Sequence, residues 1–144
     1  MTMKRFVTAL LATVVFAAIF SGFSYVPTSQ REPNVYYFGF FETMVFVIIY
    51  ASPVYFLVGL PSSILIDKIV IKVYGKSKWN RYFWRLGFYS LAGILISVIL
   101  LVFIQNNDLL EAIPFTICCM IASNIYFHLY LLVSKVMKKN TLVW

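Results

Sequence analysis

Apolar positions along the chain fall into four long runs, separated by short polar and charged stretches. The first, Phe6 to Val26, carries no charge. The second begins near Val35 and stays mainly apolar to Ile66. The third, Leu86 to Ile104, is again free of charge, and the fourth, Ile113 to Val133, holds one histidine and two thiols. A helix needs about 20 such residues to cross the hydrocarbon core of a bilayer. In lipid the backbone must satisfy its own hydrogen bonds, and runs this long do so as helices, not barrel strands. The pattern predicts an all-α integral membrane four-helix bundle, one domain over 1–144, with spans at about 6–26, 35–58, 86–104 and 113–133.

The second run is too long for one simple span, since it would rise about 48 Å as a straight helix. Pro53 and Pro61 interrupt it and remove the bonds their nitrogens would make to Ile49 and Leu57. This predicts a spanning helix to about Val58, then a new helix with Pro61 in its first turn, where a missing N–H costs little. Over 61–76, Lys68, Lys72 and Lys76 recur every four residues while Ile64, Leu65, Ile69 and Val73 face elsewhere. That pattern suits a basic amphipathic helix lying on the membrane surface. A single long tilted helix is the alternative.

Charge placement sets the orientation. All but Arg31 of the 12 basic residues precede span one, follow span four or lie between spans two and three. Positive segments stay cytoplasmic, so both termini are expected inside, with Glu32, Glu42, Asp108 and Glu111 toward the outside. The basic start also resembles a secretory signal, but its apolar run is longer than a signal core. Its best small-residue cleavage site, Gly22-Phe23-Ser24, is weak, and a true span is expected.

Composition agrees with lipid as the solvent: 62% of residues are hydrophobic and only 12% charged, against roughly 45–50% and 25% in soluble domains. Aromatic residues gather at both edges. Tyr25, Tyr36, Tyr37, Phe38, Phe40 and Phe41 mark the outer one, and Tyr74, Trp79, Tyr82, Trp84 and Tyr89 the inner. Rings with a polar tip suit the headgroup layer. Basic residues among aromatics can also stack on nucleic acid. Beside a membrane, the net charge of +7 points instead to anionic headgroups, with Lys68, Lys72, Lys76, Lys78, Arg81 and Arg85 as the candidate contacts, and to no nucleic acid.

Small residues Ala9, Thr13, Ala17 and Ser21 recur at intervals of four, and Gly93 and Ser97 repeat the device on span three. Such spacing lets helices approach closely, within one bundle or between two copies of the chain.

Few residues could carry chemistry. Glu42 is read about two turns into span two, where a carboxyl is a candidate for proton or cation coupling unless it simply bonds a nearby tyrosine. Asn124 and His128 share one face of span four, where His128 could shuttle a proton or merely hydrogen-bond across the bundle. Asp67 is expected to pair with Lys68, Lys72 or solvent. Adjacent Cys118 and Cys119 read as packing thiols, since neighbouring alpha carbons, about 3.8 Å apart, sit closer than a relaxed disulfide allows. No metal-ligand spacing, phosphate loop or nucleophile set is present, so no catalytic residue, metal or cofactor is expected.

The stretch Tyr50-Ala51-Ser52-Pro53-Val54-Tyr55, then Gly59-Leu60-Pro61-Ser62-Ser63, then Ile66-Asp67-Lys68-Ile69 resembles small four-span Bacillus membrane proteins of the YoaG/YwlA type. The resemblance implies a bacterial plasma membrane and carries no activity with it. Two functions fit the sequence. One is a non-enzymatic accessory, interaction or immunity-type protein with a membrane partner or a second copy of itself. The other is a small oligomeric transporter using Glu42 as its coupling carboxylate.

Overall fold

The computed structural model describes residues 2–73, 78–104 and 109–140. Its helices are α1 (Thr2–Ser24), α2 (Phe40–Val54), α3 (Leu60–Val73), α4 (Lys78–Ile104) and α5 (Leu109–Asn140), with a π-helical turn over Tyr55–Gly59 joining α2 to α3. No strand occurs among the described residues. Four helical stretches are long and apolar enough to cross a membrane: Met3–Ser24, Phe40–Lys72, Trp79–Phe103 and Ala112–Met137.

α1 is the hub of the bundle, packing on α2, α3, α5 and the π turn. The reason lies in its small residues. Ala9, Ala12, Thr13, Ala17 and Ser21 are all buried along one stripe, so the neighbouring helices come close. The hydroxyls of Thr13 and Ser21 return to the carbonyls of Ala9 and Ala17, at 2.9 and 2.7 Å, and leave no polar group unmet. The stripe therefore serves packing within one bundle.

α4 and α5 form the tightest pair. At Gly93 a Cβ would stand 2.8 Å from both the Cys119 carbonyl oxygen and the Met120 alpha carbon, so only glycine permits this approach. Hydrogen bonds flank the contact. Asn124 Nδ2 donates to Ser90 Oγ at 3.1 Å, Ser97 Oγ lies 3.1 Å from Thr116 Oγ1, and Ser123 donates to the Tyr89 carbonyl at 2.6 Å. Rings fill much of the core, with Tyr55 stacked on Tyr126 and Tyr89 on Phe127.

The expected break at Pro61 does not occur. Helical structure runs without a gap from Phe40 to Val73. The Leu60 N–H reaches five residues back to the Tyr55 carbonyl, and this wider turn accommodates the ring that would crowd a regular one. α3 also turns an unexpected face inward: Ser63, Ile66, Asp67 and Val70 are buried, while Ile64, Leu65, Lys68, Ile69 and Lys72 are exposed. The helices further outrun the apolar windows, because backbone bonding continues through charged residues at Lys78–Arg85 and after Val133.

Candidate functional site

The strongest concentration of charge inside the bundle centres on Asp67. Its Oδ2 accepts from Arg5 Nη2 at 2.7 Å and from the Tyr130 hydroxyl at 3.3 Å, and its Oδ1 lies 3.3 Å from Arg85 Nη2. One carboxylate thus joins α1, α3, α4 and α5 at a single end of the bundle. Arg5 and Asp67 are 4% and 6% exposed, which removes them from screening by water. The Arg5 guanidinium also lies over the Tyr130 ring, 5.6 Å from its centre. Asp67 does not pair with Lys68 or Lys72. The first points about 100° away around the helix, and both lysines are exposed.

Glu42 is placed differently from the sequence reading. Residues 35–39 are not helical, so Glu42 lies in the first turn of α2, exposed. Its Oε2 accepts from the Gly39 N–H at 2.8 Å, closing the helix start as a cap, and the Tyr36 hydroxyl donates to the same carboxylate at 3.2 Å. The carboxylate charge raises the Tyr36 phenol above its ordinary range. The bond is therefore intact below the ordinary phenol pKa and is lost as pH rises through the raised one. Glu42→Gln should shift Tyr36 ionisation to lower pH, read as a single resonance in tyrosine-labelled protein. An unmoved Tyr36 would show that the two do not interact.

Asn124 and His128 both bridge α5 to α4. Asn124 bonds Ser90 and the Met120 carbonyl. His128 Nδ1 lies 2.8 Å from the Asn124 carbonyl, which only accepts, so the proton sits on Nδ1 and Nε2 receives the Tyr82 hydroxyl at 3.2 Å. The ring is exposed and near the Asp67 end. The pair acts as cross-helix attachment. No group of three His, Cys, Asp or Glu side chains comes together among the described residues.

Of the basic residues proposed for headgroups, Lys68 and Lys72 face outward and Arg81 is half-buried. Lys78 opens α4, and Lys76 lies outside the described residues. Arg85 turns inward to Asp67. Its pairing was legible in one respect. Asp67 is the only carboxylate between Glu42 and Asp108, so any basic residue reaching the core at that end has a single possible partner.

A cavity of about 690 Å³ opens where α2 stands apart from α4 and α5. α2 leans on α1, makes no extensive contact with the other two, and has no buried residue of its own. The walls are almost wholly apolar, with Phe16, Phe46, Tyr50, Ala51, Phe115 and Cys118 among them. Tyr55, set by the π turn, closes one side by donating to the Ala122 carbonyl at 3.0 Å. Comparison with family models, with curated proteins and with solved structures gave no match to this chain.

Proposed function

We propose that this chain is a multi-pass plasma-membrane protein, both termini cytoplasmic, that acts without catalysis as an accessory or interaction protein. Its working surface is the cleft beside α2, and its partner is a hydrophobic segment of another membrane protein. One observation carries this reading: α2 stands off from α4 and α5 and leaves an aromatic-lined apolar cleft of about 690 Å³ between helices apolar enough to span a bilayer. Exposed rings such as Tyr50 and Phe46 supply large contact area at small entropic cost, the composition that favours association. Protection against a membrane-active toxin would be one form of such docking. The transport reading gains no comparable support, since the Glu42 carboxylate is engaged in capping a helix.

Orientation rests on the basic residues. Reporter fusions at Lys78 and Trp144 should read cytoplasmic, and fusions near Ser29 and Asn107 external. An external Lys78 would overturn it.

The docking reading is tested with Ala51→Phe, which adds a ring at a half-buried position in the cleft wall. The variant should fold and insert as the parent does but lose its biological effect in the host membrane. Glu42→Gln should keep that effect. The reverse outcome, activity lost with Glu42→Gln and kept with Ala51→Phe, would favour the transporter.

A further inference from the structure

The buried cluster carries an imbalance. Two guanidinium groups, Arg5 and Arg85, face one carboxylate, Asp67, leaving one positive charge uncompensated. No other side-chain carboxylate among the described residues pairs with it. Glu32 and Glu42 flank the start of α2 and Glu111 lies in the first turn of α5, both at the opposite end. An unpaired charge in a low-dielectric interior is strongly unfavourable and calls for a counter-ion.

The donors are unbalanced as well. Arg5 Nε, Arg85 Nε, the Tyr89 hydroxyl and one acceptor, Asp67 Oδ1, are buried without a hydrogen-bond partner among the described residues, three donors against one acceptor. Arg5 is 4% exposed and Tyr89 3% exposed, so water does not readily replace the missing acceptors. Tyr89 lies on α4 one turn beyond Arg85 and is buried in the core. Surplus positive charge and surplus donors at one point are what a phosphate group satisfies, and the planar fork of arginine suits its geometry. The cluster also has an approach: the Arg85 side chain is 24% exposed while those of Arg5 and Asp67 are nearly closed off.

We propose that the Arg5–Asp67–Arg85 cluster binds the phosphate of an anionic phospholipid, entering beside Arg85. The depth fits a headgroup. Arg5 lies in the first turns of α1, at the end of the bundle where exposed Trp79, Lys72 and Trp84 mark the membrane boundary. A zwitterionic headgroup brings its own cation and leaves the surplus charge unmet, so a net negative lipid is selected. Arg85 approaches the phosphate directly, Arg5 adds its charge from within, and Asp67 competes with the phosphate for both guanidinium groups. This inference does not depend on the docking reading.

The test uses the full-length protein in neutral detergent, titrated separately with phosphatidylglycerol, phosphatidylcholine and inorganic phosphate. Native mass spectrometry reads retained lipid, and thermal unfolding reads stabilisation. Phosphatidylglycerol should remain bound and raise the melting temperature, with phosphatidylcholine about ten-fold weaker. Arg85→Gln should weaken phosphatidylglycerol retention about ten-fold, while Lys135→Gln, on the exposed face of α5, retains it. Asp67→Asn separates a lipid site from a mere structural ion pair. It should lower intrinsic stability yet bind phosphatidylglycerol more tightly, because the competing carboxylate charge is gone. Unchanged retention in Arg85→Gln overturns the proposal, as does weaker binding by folded Asp67→Asn. Equal stabilisation by inorganic phosphate and phosphatidylglycerol overturns the lipid as the source.

Discussion

Asp67→Ala, in the absence of added lipid, is expected to cost the bundle about 3–5 kcal/mol, the loss typical when one partner of a buried ion pair is removed. The large figure follows from burial. Asp67 and Arg5 are 6% and 4% exposed, and removing the carboxylate leaves two guanidinium groups facing each other without an anion. An exposed pair of the same geometry would contribute less than about 1 kcal/mol. The measurement is reversible unfolding in mixed micelles with increasing denaturing detergent. Lys68→Ala, on the exposed side of the same helix, should change little by comparison. A loss below about 1 kcal/mol for Asp67→Ala would mean that water reaches the cluster.

Gly93→Ala is expected to destabilise the protein although alanine is the better helix former by about 0.8–1 kcal/mol. The new Cβ would meet the Cys119 carbonyl oxygen and the Met120 alpha carbon at 2.8 Å. Both belong to the backbone, so α5 as a whole must move away from α4. Overpacking of this kind costs about 1–3 kcal/mol, and a Val at the same position should cost more. The Ser90–Asn124 and Ser97–Thr116 contacts flank Gly93 and would lengthen together. Gly87, on the same helix, is the internal control, because a Cβ there meets nothing within 4 Å. Gly87→Ala should therefore stabilise, by up to about 1 kcal/mol. If both alanine variants shift stability in the same direction, the close approach of α4 and α5 is not the controlling contact.

Much of this architecture was legible because lipid makes backbone satisfaction and side-chain polarity nearly one-dimensional signals. The four spans emerge from apolar length alone, and the stripe from Ala9 to Ser21 emerges from spacing alone. Helix limits were less accessible. Apolar windows end at the first charged residues, whereas helices continue through Lys78–Arg85 and beyond Val133. Pro61 read as a break because the proline rule assumes a regular turn before it, and a single π turn removes that assumption. The site was less visible still. Glu42 was placed by distance along an imagined helix, but the chain stays extended through Gly39, so the residue became a cap. Asp67 was matched to the cations nearest in sequence, yet residues adjacent in a helix point apart and its true partners lie on α1 and α4. Pairings of that sort depend on three-dimensional rotation about each helix axis, which hydropathy does not encode.

The four-way junction at Asp67 also has a temporal side. Arg5 leaves the ribosome long before Asp67, and Arg85 and Tyr130 later still, so during synthesis the first helix forms with its arginine unmatched. No fragment ending before α4 can complete the junction, because two of its four contributors are still to be made. Closure of the junction therefore coincides with arrival of the last helix, and incomplete chains keep an exposed ionic defect at one end. A truncated product would therefore expose a charge that the full four-way junction buries.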